Sequence, residues 1–294
     1  MNLRHLQIFC RVAEAGSIRA AARDAGLAQP GVTYAIRELE RAVGAPLFVR
    51  SARGVETTEV GQALLRRAAV LFDEVRRTEN EIAQLRDGGG RLRAAFSSLA
   101  AARLLPDALQ AFRRVCPGVA VELVEITGPE LVAPGSGYDL AVLSELEGSS
   151  PQDGFEREVL LQAPLAAIAR TGHPLARVRT IRRLDQALWA VPAYGIEALQ
   201  KAGLDAPRNI VVCQSIQFGL SLVRRADALT VVASSMVQDP VTFRGLVRLR
   251  LAEALPQVEV TVRSPATSQP TPAARNFLEC LRQTAQQAKQ SKSP

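Results

Sequence analysis

The chain has 294 residues, 47% of them apolar and 4% aromatic, and a net charge of +7 carried by 33 arginines against 3 lysines. That apolar content excludes a disordered protein, and the length allows two or three domains with cores of their own. No apolar run approaches a membrane span, and Arg4 and His5 precede no apolar leader, so a cytoplasmic protein without a membrane partner is expected.

Residues 3–15 read as a first helix that turns at Gly16, with Leu6, Phe9, Val12 and Ala13 closing a small core. Ser17 is placed to cap a second helix. There Ile18, Ala21, Ala22 and Ala25 fall at helical spacing and let another helix approach closely, and Gly26 breaks the helix near its end. Pro30 sits where a third helix can begin, because its missing N–H would be unpaired there anyway. Val32, Ile36, Leu39 and Val43 share one buried face of that helix. Gln29, Pro30, Thr33, Tyr34 and Arg37 form an outward-looking set at its start, suited to reading base edges in the major groove of double-stranded DNA. Residues 46–58 read as a hairpin turned at Gly54, with Arg50 and Arg53 beside the DNA backbone or in the minor groove. Residues 1–53 carry eight arginines and four carboxylates, a basic head that fits phosphate attraction.

From Glu59 to Asp87 the pattern becomes one long helix. Leu64, Ala68, Leu71, Val75, Thr78, Ile82 and Leu85 recur at alternating steps of four and three, a seam for a partner helix. The reading is a dimerisation helix, with Arg66, Arg67, Arg76 and Arg77 outside the seam; the alternative is a helix lying on its own domain. Gly88-Gly89-Gly90 ends it as a flexible joint. No phosphate-binding glycine motif is present.

Beyond Arg91 strands and helices alternate, which implies α/β layers. Strands are expected at residues 92–97, 119–126, 139–143, 165–169, 211–213, 229–233 and 258–262. Helices are expected at 104–115, 218–224 and 272–287.

The order Leu6, Phe9, Val12, Ala13, Glu14, Gly16, Ser17, Ala21, Ala22, Gln29, Pro30, Ile36, Leu39, Glu40, Gly44, Leu47, Phe48, Arg50, Thr58, Gly61 resembles the winged helix-turn-helix of LysR-type transcriptional regulators. Two positions depart from it: Ala28 stands where the family usually has Ser, and Thr33 where it has another Ser. Losing a Ser cap typically costs about 0.5–2 kcal/mol, so this helix start is less firmly held. LLP at 104–106, FRRVCPGVAVELVE at 112–125, YDLAV at 138–142 and HPL at 173–175 are similar to the family's effector-binding half. The order of features there resembles regulators of aromatic degradation, such as the toluenesulfonate-responsive one.

The resemblance implies a winged helix-turn-helix domain at 1–58, a linker and dimerisation helix with its hinge at 59–90, and an α/β effector module at 91–294. That module is two Rossmann-like subdomains, similar to periplasmic binding proteins, at 91–162 with 263–294 and at 163–262. It further implies a dimer or tetramer on an interrupted palindrome, and RNA polymerase as a partner for an activator.

Ser97 and Ser98, Ser144 and Ser215 follow strands, where ligands gather in open α/β sheets. A helix start there offers donors to a small anionic effector, a carboxylate or sulfonate. Each serine alone could merely cap a helix. Ser98 and Ser215 are the leading choices. Trp189 and Tyr194 are read as either an aromatic wall or core. The segments 127–138 and 191–210 look shorter than the family's, which would remove wall and lid. That leaves open a regulator that no longer senses a small molecule.

No catalytic set is found: two histidines, no GxSxG, HExxH or paired carboxylates. An enzyme, a cofactor and a metal are not expected. A solute-binding or enzymatic α/β protein with a fused DNA-binding head is the remaining rival. Cys10, Cys116, Cys213 and Cys280 form no CxxC pair and read as buried thiols, with a redox switch at Cys116 or Cys213 as the alternative.

Overall fold

A computed structural model describes residues 1–51, 54–126, 135–150, 154–204, 207–238, 241–266 and 269–290. The chain forms two compact units, Met1–Arg76 with Pro134–Gly137, and Arg77–Ala133 with Tyr138–Pro294.

The first unit starts with helices α1 (Leu3–Ala15), α2 (Ile18–Asp24) and α3 (Gln29–Val43). Asn2 caps α1 through the Arg4 N–H and Ser17 caps α2 through the Ala20 N–H. After α2, Gly26 takes φ +63° and the Leu27 N–H returns to the Ala22 carbonyl, closing the helix end. Leu6, Phe9, Val12, Ala21, Ala22, Val32, Ile36 and Leu39 meet in one core, as their spacing predicts. The hairpin is β1 (Phe48–Ser51) against β2 (Gly54–Thr57), antiparallel. It is locked to the helices: the Val55 N–H donates to the Gly16 carbonyl, and a Cβ on Gly54 would lie 2.5 Å from that same oxygen.

Helix α4 (Glu59–Asp87) is the long helix the sequence predicts. It does not form a domain of its own, because the boundary between the two units falls within it, at Arg76/Arg77. The expected seam is also divided. Ala68 is 2% exposed and packs in the head's own core, with Leu64 and Leu71 against it. Val75, Ile82 and Leu85 are open, at 42%, 57% and 75%, and Thr78 is exposed with them. For its first half the helix therefore lies on its own domain. One further expectation is corrected: Arg77 is buried rather than displayed beside the seam. In the glycine triplet Gly88 and Gly90 hold φ +69° and +91°, and a Cβ on Gly90 would lie 3.1 Å from the Asn80 carbonyl oxygen.

The second unit runs β3 (Arg91–Phe96), α5 (Ser98–Arg103), α6 (Leu105–Val115), β4 (Ala120–Glu125), β5 (Leu140–Leu146), β6 (Phe155–Arg170), β7 (Leu188–Val191), α7 (Ala193–Lys201), β8 (Asn209–Val212), α8 (Ile216–Arg225), β9 (Thr230–Ala233), β10 (Leu246–Arg248), β11 (Gln257–Pro265) and α9 (Pro272–Gln290). Its first subdomain is the sheet β4-β3-β5-β11-β6, parallel across β4, β3 and β5 and antiparallel around β11. The second is built on the far half of β6, which carries β9 and β10, with β7 and β8 beside them.

Strand β6 is much longer than the expected 165–169. Pro164 pairs with Gln257 of the first subdomain and Leu165 with Ala233 of the second, so one strand crosses between them. The return comes just before Gln257, not at 263, because all of β11 pairs with β5 or β6. The early part of β6 escapes a hydrophobic reading because Glu156, Arg157 and Glu158 interrupt its alternation. Among the described residues no helix is long and apolar enough to cross a membrane.

Candidate recognition helix and cleft

In the first unit α3 buries Val32, Ala35, Ile36 and Leu39. The 3.6-residue period then turns the opposite stripe outward. Gln29, Pro30, Tyr34 and Arg37 are exposed and Thr33 is half-buried. Tyr34 is 62% exposed, and its ring meets the edge of His5 at 6.2 Å between centroids, a neighbour the sequence reading did not assign to this face. Ala28 leaves the helix start without a side-chain cap, as expected from its identity. The base of the hairpin is held from α3, where Glu40 accepts the Leu47 N–H at 2.9 Å. Gly61 lets α4 begin there, since a Cβ would lie 2.2 Å from the Leu47 carbonyl. Arg50 pairs with Val55 in the hairpin through its backbone. Its side chain, and the whole of Arg53, lie outside the described residues.

In the second unit four serines from three segments line one cavity of about 480 Å³: Ser97 and Ser98 where β3 passes into α5, Ser144 in β5 and Ser215 before α8. Each hydroxyl is engaged. Those of Ser97 and Ser144 bond each other at 2.6 Å, and Ser98 donates to Glu125 at 2.5 Å. Ser215 caps α8 by accepting the Phe218 N–H at 3.3 Å.

The two aromatic candidates separate. Trp189 is fully buried core, its indole N–H donating to the Leu184 carbonyl. Tyr194 lines the cavity, and burial pushes its phenol up to about 12, so it stays a neutral hydroxyl.

The segment 191–210 is not stripped of its wall, contrary to the length-based expectation. It folds α7, from which Ala193, Tyr194 and Glu197 line the cavity. Residues 127–134 of the other shortened segment lie outside the described residues. Cys213 also lines the cavity, and burial pushes its thiol up, away from the reactive thiolate. Cys116 accepts a hydrogen bond from the Asn276 amide at 3.2 Å.

The sequence reading missed a charged group at the cavity floor. Glu145 and Arg263 both line it and form an ion pair. Glu145 also accepts from Arg157 Nε and from Thr261 Oγ1, each at 3.1 Å, and Arg157 pairs in turn with Glu259. Burial raises the Glu259 carboxyl, but hydrogen bonds from Gln162 and Arg157 outweigh it and hold the group below the usual glutamate range. A signal for this group existed: in residues 257–265 the alternation places Glu259, Thr261 and Arg263 on one face, opposite Val258, Val260 and Val262. Among the described residues no cluster of three or more His, Cys, Asp or Glu could hold a metal ion.

The LysR substrate binding domain matches residues 86–286, and the bacterial regulatory helix-turn-helix protein, lysR family, matches residues 3–62. The chain is 29% identical to the HTH-type transcriptional regulator GalR of Pseudomonas putida, over 95% of this chain and 73% of that one. It is 33% identical to the small neutral protease regulatory protein of Streptomyces coelicolor, over 70% of each. Its fold is similar to that of full-length CbnR complexed with its target DNA, with a TM-score of 0.67, 23% identity and coverage of 97% and 100%.

Proposed function

The chain belongs to the LysR family of transcriptional regulators, which are not enzymes, and from that premise we propose that it is a cytoplasmic homo-oligomer that reads an interrupted palindrome and answers a small anion held in the cleft. The observation that carries the effector part is the convergence of Ser97, Ser98, Ser144 and Ser215 on one cavity. Two features make an anion the fitting occupant. The start of α8 presents backbone donors, and Tyr194 keeps its proton. Leu143, Ile126, Ile216 and Met236 on the same walls suit an aromatic or aliphatic body bearing a carboxylate or sulfonate.

For DNA, Gln29, Thr33, Tyr34 and Arg37 face bases, with Arg50 and Arg53 on the backbone or minor groove. Two copies on a two-fold site account for the palindrome. Apolar side chains left open on one chain, Val75, Ile82 and Leu85 of α4 and Ile210, Val212 and Phe218 around α8, support self-association. RNA polymerase is the further partner when the protein activates.

A panel of small carboxylates and sulfonates tests the reading. A fitting anion raises the melting temperature with concentration, and Ser97→Ala with Ser144→Ala removes the rise without changing operator binding. One observation favours a second reading, a regulator that no longer senses: the serine hydroxyls are already spent on one another and on Glu125. No shift with any anion at millimolar concentration selects that reading.

A further inference from the structure

The chain's positive charge is not spread evenly. Residues 165–256, the second subdomain of the effector module, hold eleven arginines and one lysine against six carboxylates, a net +6 of the chain's +7. Residues 1–53, the helix-turn-helix head, hold +4. A general preference for arginine would not concentrate the excess in this way, and the larger share lies outside the head.

The fold brings five of these arginines together. Ile181–Leu184 is a single 3₁₀ turn whose Ile181 and Leu184 are buried. At three residues per turn, Arg182 and Arg183 between them face outward, and both are exposed. Arg179, just before the turn, donates to the Arg250 carbonyl at 3.4 Å, and its own carbonyl accepts the Ala252 N–H at 2.7 Å, which sets Arg179 beside Arg250. Past the other end of the turn, the Arg208 N–H donates to the Asp185 carbonyl at 3.2 Å. All five residues are exposed, and among the described residues none has a carboxylate partner; the ion pairs of this subdomain are Arg170–Asp227 and Lys201–Glu197. Two carboxylates stand close by, each with a neighbour of its own: Glu253 accepts the Ile181 N–H at 3.0 Å, and Asp185 accepts from the Gln186 amide at 3.1 Å.

Two features select the occupant. A guanidinium is a planar fork that matches phosphate oxygens two at a time. A protein interface is centred on apolar or aromatic side chains, and none of the large apolar side chains exposed among the described residues lies within 170–184 or 244–256. A phosphate backbone needs no such centre, because the release of its condensed counterions supplies the affinity. We propose that this arginine surface is a second DNA contact, outside the helix-turn-helix head, that holds the phosphate backbone of duplex DNA without reading its sequence. It adds phosphate contacts to those of the head and leaves base preference to α3. It depends neither on the cleft reading nor on which residues of the head face bases.

Anisotropy titration of the full chain against a random-sequence duplex of about 60 bp, repeated from about 50 to 300 mM NaCl, tests it. Arg179→Gln, Arg182→Gln, Arg183→Gln and Arg250→Gln together should lower the slope of log affinity against log salt by about three, with affinity at the low-salt end falling about tenfold or more. The same four positions changed to lysine should keep the slope, since a phosphate counts charge. Arg91→Gln, Arg113→Gln, Arg114→Gln and Arg275→Gln, four arginines of the first subdomain, remove equal charge and should move the slope by about one or less. All of these side chains are exposed, so the melting temperature holds in every variant. An unchanged slope in the first glutamine set overturns the proposal and leaves an acidic protein as the occupant of the surface. An equal fall in both glutamine sets also overturns it, by assigning the effect to total charge, and so does a lysine set that binds as weakly as the glutamine one.

Discussion

Arg77 on the second half of α4 and Asp139 at the head of β5 form an ion pair at 3.7 Å with both side chains withdrawn from solvent. The guanidinium also donates to the Tyr138 carbonyl at 2.7 Å, and the carboxylate accepts the Arg93 N–H at 2.8 Å. Two more side chains of the same helix act alike: Asn80 accepts the Arg91 N–H and Gln84 accepts the Ala273 N–H at the start of α9. This half of the helix is fastened to the first subdomain by its polar side chains.

Removing one partner of a buried ion pair leaves a charge without compensation, at a typical cost of about 3–5 kcal/mol. Asp139→Leu is therefore expected to lower the unfolding free energy by about that amount, and Arg77→Met together with Asp139→Leu to recover most of it. Urea unfolding followed through the single tryptophan, Trp189, measures both. A double variant as unstable as the single one would mean that the pair's partners, not the pair, carry the stability.

On DNA, Arg37→Ala is expected to relax preference at one base position in each half-site, at about 1–3 kcal/mol. Arg53→Ala should weaken all sequences alike and reduce the salt slope. Footprinting across salt concentrations separates the two. An unchanged footprint for both variants would remove α3 and the hairpin from the interface.

The divided seam changes which substitution reports on assembly. Ile82→Asp places a carboxylate where one chain leaves the side chain 57% exposed, so it should dissociate the oligomer and leave the monomer folded. Ala68→Asp should instead unfold the head, because that position is inside it. Sedimentation together with circular dichroism reads both; an Ile82→Asp protein still dimeric at micromolar concentration moves the interface elsewhere.

Acid should loosen the first subdomain through Glu259. Its carboxyl is held below the usual glutamate range in the folded chain. Its contribution is thus fully present above the unfolded value and is lost as pH falls through the lower folded one. Melting temperature should decline across that acid window, and Glu259→Gln should flatten the decline. A parallel decline in the variant would assign the acid sensitivity to other carboxylates.

Helices α1 to α4 were legible from sequence because their information is local. A cap at Ser17, a proline at the start of α3, glycines at Gly16 and Gly44 and a 3.6-residue apolar period are all written within a few residues of where they act. Ser97, Ser98 and Ser215 were placed beyond strand ends for the same reason, since strand, end and hydroxyl are adjacent in the chain, whereas Ser144, expected after its strand, lies inside β5. What only the tertiary structure decided are pairings between distant segments. The sequence could not say that Arg77 would find Asp139, that Arg157 would bridge Glu145 and Glu259, or that β6 would serve two sheets. It also could not say which half of the α4 seam would turn inward. A charged residue in a strand or an apolar residue in a heptad carries the same local signal whether its partner is water, its own domain or a second chain, and only the fold chooses among them.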